Sequence, residues 1–155
     1  MNRLLIGIGN RFRSDDGVGP VIAERLEALA LPATRVCIAS GEGAALMDLW
    51  REAEAVYLFD AVSSGKAAGT VHRLDAASQT IPQEFFHYST HAFSLAEAVE
   101  LARALDELPP RLIIYGIEGG SFRAGRELSP PVAAAVDEVV ERVSAELGAT
   151  APDAG

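Results

Sequence analysis

The stretch GIGNRFRSDDGVGP occupies residues 7–20. The apolar run RLLIGI leads into it, and VIAERLEALAL follows. In the following segment Val21, Ile22, Leu26 and Leu29 recur at helical spacing, and Pro20 is acceptable only in a first helical turn. The quoted stretch therefore reads as the turn between a buried parallel strand and a helix. Turns of this kind, rich in glycine at a helix start, commonly cradle phosphate. Here the pattern fails that use twice. A dinucleotide fingerprint needs a third glycine three residues after Gly9, and Phe12 stands there. A phosphate loop needs a Gly-Lys pair followed by Ser or Thr, and none is present. Asp15 and Asp16 would also set negative charge against a phosphate. The remaining readings are a cation site, with a carboxylate held at the helix start, and a helix cap by either aspartate; Asp16 is favoured to face an ion, because one cap needs only one aspartate. Asp15 stays open between a helix cap and a second carboxylate beside that site.

Outward from this turn, strands and helices alternate. TRVCIA (34–39) and AVYLFDAV (55–62) are apolar and β-branched or aromatic, and AALMDLWREA lies between them with Leu46, Leu49 and Trp50 on one face. TVHRLD (70–75) alternates polar and apolar residues, as a half-exposed edge strand does. SLAEAVELARALDEL opens with Ser94 and Glu97 at capping-box spacing and is expected to stop at Pro109 and Pro110. RLIIYGI is the last strand. SPPVAAAVDEVVERVSAELG is the last helix, with Ser129 expected as its cap. This order predicts an α/β three-layer sandwich. Its five-stranded sheet is mostly parallel, has helices on both faces and has one antiparallel edge strand. Residues 1–147 are expected to form a single domain, and residues 148–155 to fray.

Bulk properties narrow the function. A length of 155 residues suits one sizeable core, and 49% hydrophobic with 23% charged residues is ordinary globular composition. Net charge −9 argues against nucleic acid or an anionic membrane as a partner. Cys37 is the only cysteine, so no internal disulfide and no multi-thiolate metal cluster can form. Its mid-strand position predicts a buried, inert thiol. No apolar run of membrane-spanning length occurs, and the opening run is too short for a signal peptide, so a cytoplasmic location is expected.

In open α/β sheets ligands bind beyond the carboxyl ends of the strands. That rule puts the opening turn and Asp60, at the end of the AVYLF run, on one edge. Asp60 reads either as a ligand-binding carboxylate or as a turn residue pairing with Ser63 or Ser64. Among the histidines, His72 is expected on an exposed strand and His87 among packed aromatics. His91 precedes the Ser94 cap in a long loop that could fold back to the same edge. Asp16, Asp60 and His91 have no short linking motif, but two carboxylates and an imidazole suit a borderline divalent ion and leave open positions on it. A serine hydrolase is disfavoured, because no G-x-S-x-G elbow occurs.

Taken together, LLIGIGNRFRSDDGVGP, VYLFDAV, a loop histidine before LAEAVELA, and LIIYGIE with LSPPV resemble the hydrogenase maturation endopeptidases over nearly the whole chain. The resemblance implies removal of a C-terminal extension from a [NiFe] hydrogenase large-subunit precursor after nickel insertion. It implies Asp16, Asp60 and His91 as metal contacts, with nickel supplied by the substrate and no organic cofactor. It departs in one place. The family commonly has an aspartate and two glycines after the second strand, where this chain has Ser40, Gly41 and Glu42. Glu42 is open between a displaced carboxylate and a surface charge. Two rival readings remain from the glycine turn: a peptidyl-tRNA hydrolase-like enzyme, and a non-catalytic metal- or nucleotide-binding module.

Overall fold

The computed structural model describes residues 2–82, 85 and 93–148. The strands are β1 (Arg3–Ile8), β2 (Thr34–Ala39), β3 (Ala55–Val62), β4 (Val71–Asp75) and β5 (Arg111–Glu118). The helices are α1 (Val18–Glu27), α2 (Gly43–Trp50), α3 (Leu95–Ala104) and α4 (Pro130–Gly148). A single 3-10 turn, Ser14–Gly17, precedes α1. The sheet order is β2-β1-β3-β5-β4. Neighbours are parallel except β4, which pairs antiparallel to β5 at the edge.

The layers follow from residue alternation. In β3, Ala55, Tyr57, Phe59 and Ala61 join Val18, Ile22 and Leu26 of α1 and the valines of α4 in one core. Val56, Leu58 and Val62 join Leu46 and Trp50 of α2 and Leu95, Val99 and Ala102 of α3 in the other. Every residue of β3 is buried, as a central strand covered on both faces requires. The expected three-layer α/β sandwich is the observed fold.

One helix boundary and one expected cap differ from expectation. α3 ends at Ala104, before the prolines. Asp106 takes a left-handed conformation (φ 59°), and the Glu107 amide donates to the Ala102 carbonyl at 2.8 Å, so a Schellman turn stops the helix. At α4, Ser129 precedes the first turn as expected, but its hydroxyl donates to Asp15 at 2.8 Å.

That contact belongs to a polar junction around one buried carboxylate. Asp15 is fully buried. Its Oδ2 accepts from the Gly120 amide at 2.7 Å, the Ser121 amide at 3.0 Å and the Ser129 hydroxyl. Its Oδ1 accepts from the Ser129 amide at 2.7 Å. Its own amide donates to the Ser121 carbonyl at 2.9 Å. A carboxylate is tolerated in the interior only when its lone pairs are met in this way. Asp15 therefore caps nothing in α1. It ties the β1–α1 turn to the β5–α4 loop, about one hundred residues away.

A second polar cluster fixes α4 from its far end. The Glu146 carboxylate accepts from the Tyr57 hydroxyl, from Arg73 at 3.0 Å, from Arg111 at 3.1 Å and from the Tyr115 hydroxyl at 3.4 Å. Burial works to raise the Glu146 pKa. The hydrogen bonds from Tyr57 and the arginines outweigh it and hold the carboxyl below its ordinary 4.5. Tyr57 is pushed up to about 12, by burial first and then by the bond to Glu146.

Two outcomes are expected. Asp15→Asn keeps the volume but sets an amide NH2 against a backbone N–H, so stability measured by urea unfolding should fall by about 2–3 kcal/mol. Glu146 is ionised more readily folded than unfolded, so its contribution is fully present above about pH 5 and is lost as pH falls through the lower folded value. The difference in Tm between wild type and Glu146→Gln should be largest near neutrality and shrink below about pH 4.

Candidate functional site at the carboxyl edge of the sheet

The opening turn sits on the strand ends because its glycines allow it. A methyl group on Gly19 would overlap the carbonyls of both Ile8 and Phe59, so only glycine lets α1 start directly above β1 and β3. Gly9 has φ 143°, and a Cβ there would strike the Asp16 carbonyl. These are the glycines that the phosphate-loop reading could not use. They bring backbone onto backbone rather than onto an anion.

Asp16 is held over this turn. Its Oδ2 accepts from the Asn10 amide at 2.9 Å, its amide donates to the Arg13 carbonyl at 3.1 Å, and the side chain is half-buried. Asp60 lies between Leu58 and Val62 in β3 and is 6% exposed. By strand alternation its carboxylate projects on the α2/α3 side, at the level where Phe59 contacts Gly19. The structure thus brings Asp16 and Asp60 to one edge, from the ends of adjacent strands β1 and β3.

His91 and His87 lie outside the described residues. The described residues on either side of that segment are fastened to the same edge. The Phe85 carbonyl accepts from the Ser63 amide at 3.0 Å, just beyond β3. The Phe93 carbonyl accepts from the Gly43 amide at 2.8 Å, just beyond β2, and the Phe93 ring packs against Gly43. Among the described residues no group of three His, Cys, Asp or Glu side chains could hold a metal ion.

The altered loop after β2 resolves into a helix cap. The Glu42 carboxylate accepts from the amides of Ala44 and Ala45, each at 3.0 Å, as the N-cap of α2. The Ser40 hydroxyl accepts from the Glu42 amide at 3.4 Å. Cys37 is a free, half-buried thiol in β2, where burial raises its pKa and Arg35 only partly opposes that.

One acid near Asp60 was not singled out from the sequence. Glu118, 1% exposed at the end of β5, accepts from the Ser64 amide at 3.1 and 3.2 Å, from the Ser64 hydroxyl and from His72 Nε2 at 3.0 Å. His72 was expected on the surface. Its side chain is only 17% exposed, and its ring lies 4.8 Å from that of Phe85. Asp60 and His72 are both in register with Gly116, so they occupy one row two strand spacings apart, roughly 9–10 Å. One signal was available in the sequence. YGIE closes its apolar strand on an acid, just as YLFD does.

No helix among the described residues is long and apolar enough to cross a membrane. A family model described as hydrogenase maturation protease matches residues 20–146. The chain is 30% identical over 152 residues to the hydrogenase 2 maturation protease of Escherichia coli, covering 95% of this chain and 91% of that one. It is 30% identical over 149 residues to the hydrogenase expression/formation protein HupD of Rhodobacter capsulatus, covering 94% of this chain and 71% of that one. The solved hydrogenase-maturating endopeptidase HybD from E. coli superposes with a TM-score of 0.75 at 26% identity, over 97% of this chain and 94% of that one. With the family model matched over most of the chain, the relatives matched nearly end to end and the fold in agreement, the chain belongs to the hydrogenase maturation protease family.

Proposed function

We propose that this protein removes the C-terminal extension of a [NiFe] hydrogenase large-subunit precursor after nickel insertion, and that it recognises the precursor through the nickel already bound there. The observation that supports the reading is that Asp16, in the turn after β1, and Asp60, near the end of β3, lie toward the carboxyl ends of adjacent strands. Phe85 and Phe93, the described residues before and after His91 in the chain, bond to backbone just beyond β3 and β2.

Two carboxylates and a neutral imidazole are donors suited to a borderline divalent ion, and together they would neutralise it. In the precursor the ion arrives on the substrate's own thiolates. Asp16, Asp60 and His91 then add to its coordination instead of holding a resident metal. Docking becomes strong only when nickel is in place, so the ion reports that the substrate is ready. The same contacts hold the scissile peptide at the edge for attack by water, where fixed geometry removes much of the entropic part of the barrier. Asp16 is suited to this because the Asn10 amide already orients its carboxylate. Net charge −9 supports a polypeptide over a tRNA as the substrate, and a cytoplasmic setting fits a lone free cysteine.

The test mixes the purified protein with nickel-loaded or nickel-free precursor and follows precursor mass. Wild type should release the C-terminal peptide only from the nickel-loaded form. Asp16→Asn and Asp60→Asn should each slow release by at least about a hundredfold while the fold stays intact by circular dichroism. Cleavage that is equally fast without nickel, or unimpaired in Asp16→Asn, would overturn the reading.

A further inference from the structure

Beside the carboxylate edge lies a basic surface that the proposed chemistry does not use. The opening turn carries NRFRS at residues 10–14, and the β5–α4 loop carries SFRAGRE at residues 121–127. The two segments pair as a short ribbon. The Ser14 amide donates to the Gly125 carbonyl at 2.8 Å and the Gly125 amide to the Phe12 carbonyl at 2.9 Å, with an isolated parallel bridge between Arg13 and Gly125. The Ser14 hydroxyl donates to the Arg123 carbonyl at 2.7 Å. The ribbon is held from beneath by Asp15.

Arg11, Arg13, Arg123 and Arg126 are all exposed on this ribbon. Arg11 is paired with Glu24, and Arg13 donates weakly to the Phe122 carbonyl at 3.4 Å. Among the described residues Arg13, Arg123 and Arg126 form no ion pair. The acids nearby are the exposed Glu24 and Glu127, the half-exposed Asp16 and the buried Asp15, so Arg13, Arg123 and Arg126 are outward-facing cations without an ion pair among the described residues, in a chain of net charge −9. Phe12, at 61% exposure, is the most exposed large hydrophobic residue described, and the Arg126 guanidinium lies 5.1 Å above its ring. A cleft of about 230 Å³ opens between the segments, with Arg11 and Arg126 among its lining and Val21 and Leu128 as apolar walls.

Arginine beside an exposed aromatic, over a small cleft of mixed polarity, is the composition of a protein-docking surface. A rigid ribbon presents these groups with little ordering cost on binding. We propose that this ribbon docks an acidic segment of the polypeptide partner, with carboxylates on Arg123 and Arg126 and an apolar side chain against Phe12 and the cleft. Under the function proposed above, on which the identity of the partner rests, that partner is the precursor. Arg13 stands three residues before Asp16, within about 10 Å along the chain, so a docked segment runs directly into the carboxylate edge.

The experiment measures cleavage of nickel-loaded precursor at about 50 and about 300 mM salt by wild type, Arg123→Glu/Arg126→Glu and the neutral Arg123→Gln/Arg126→Gln. The double reversal should raise KM about tenfold and leave kcat within about twofold. The neutral pair should fall between, and KM should rise with salt for wild type but not for the reversal. Equal KM and equal salt dependence in all three proteins would overturn the docking inference while leaving the processing reading intact. Precursor left uncut by wild type would count against the processing reading instead. A second arm then decides docking by fluorescence anisotropy with a labelled peptide alternating Glu and Leu. Wild type should bind it at least about fivefold tighter than the double reversal does, and tighter than a Gln-for-Glu peptide. Equal binding, or a preference for a single-stranded RNA probe, would overturn the proposal.

Discussion

The buried Asp15 carboxylate is the contact on which the working end of this protein depends. Four donors converge on its two oxygens, from Gly120, Ser121 and both the amide and the hydroxyl of Ser129. A loop alone loses conformational entropy when fixed and gains little in return. Two loops that share one satisfied internal charge become a single rigid piece. That piece carries Asp16 on one side and the arginine ribbon on the other. It also sets the start of α4, because Ser129 meets Asp15 just before the helix begins.

Around this anchor, glycine sets how near the layers approach. Gly19 lets the first turn of α1 lie on the carbonyls of Ile8 and Phe59, so the acids that follow β1 and the one acid near the end of β3 lie toward one edge. A larger side chain there would lift the helix and part them. Charge then separates the regions of the surface. Acids gather above β3 and β5, where Asp60 and Glu118 are almost wholly buried. Arginines gather on the ribbon a few residues away. Under the proposed function, a precursor with an acidic segment and a metal centre would meet groups of opposite sign in sequence, an arrangement that favours orientation and encounter more than raw affinity.

Much of this was legible in the chain. Alternation and capping residues gave five strands and four helices in the right order, and the acid at the end of AVYLF marked Asp60. The misreadings have a common cause. His72 sits in a segment that alternates like an exposed edge strand, yet Glu118 and Phe85 cover it, and both reach it from elsewhere in the chain. Glu42 was open between a displaced carboxylate and a surface charge, and neither reading included the cap it makes on the amides of Ala44 and Ala45. The end of α3 was assigned to its prolines, whereas the left-handed residue Asp106 had already turned the backbone.

The sequence by itself determined the fold class, the absence of an internal disulfide and the unsuitability of the opening turn for phosphate. These rest on periodicity, cysteine number and residue type, which are local or compositional. Only the tertiary structure decided the roles of the two neighbouring aspartates. Asp15 and Asp16 are chemically identical and adjacent, so no local rule separates them. One points inward to donors from a loop about one hundred residues away. The other stays half-buried at the strand ends, where the Asn10 amide orients it. That division is a matter of which backbone N–H groups surround each carboxylate, and those are supplied by chain contacts no window of sequence contains.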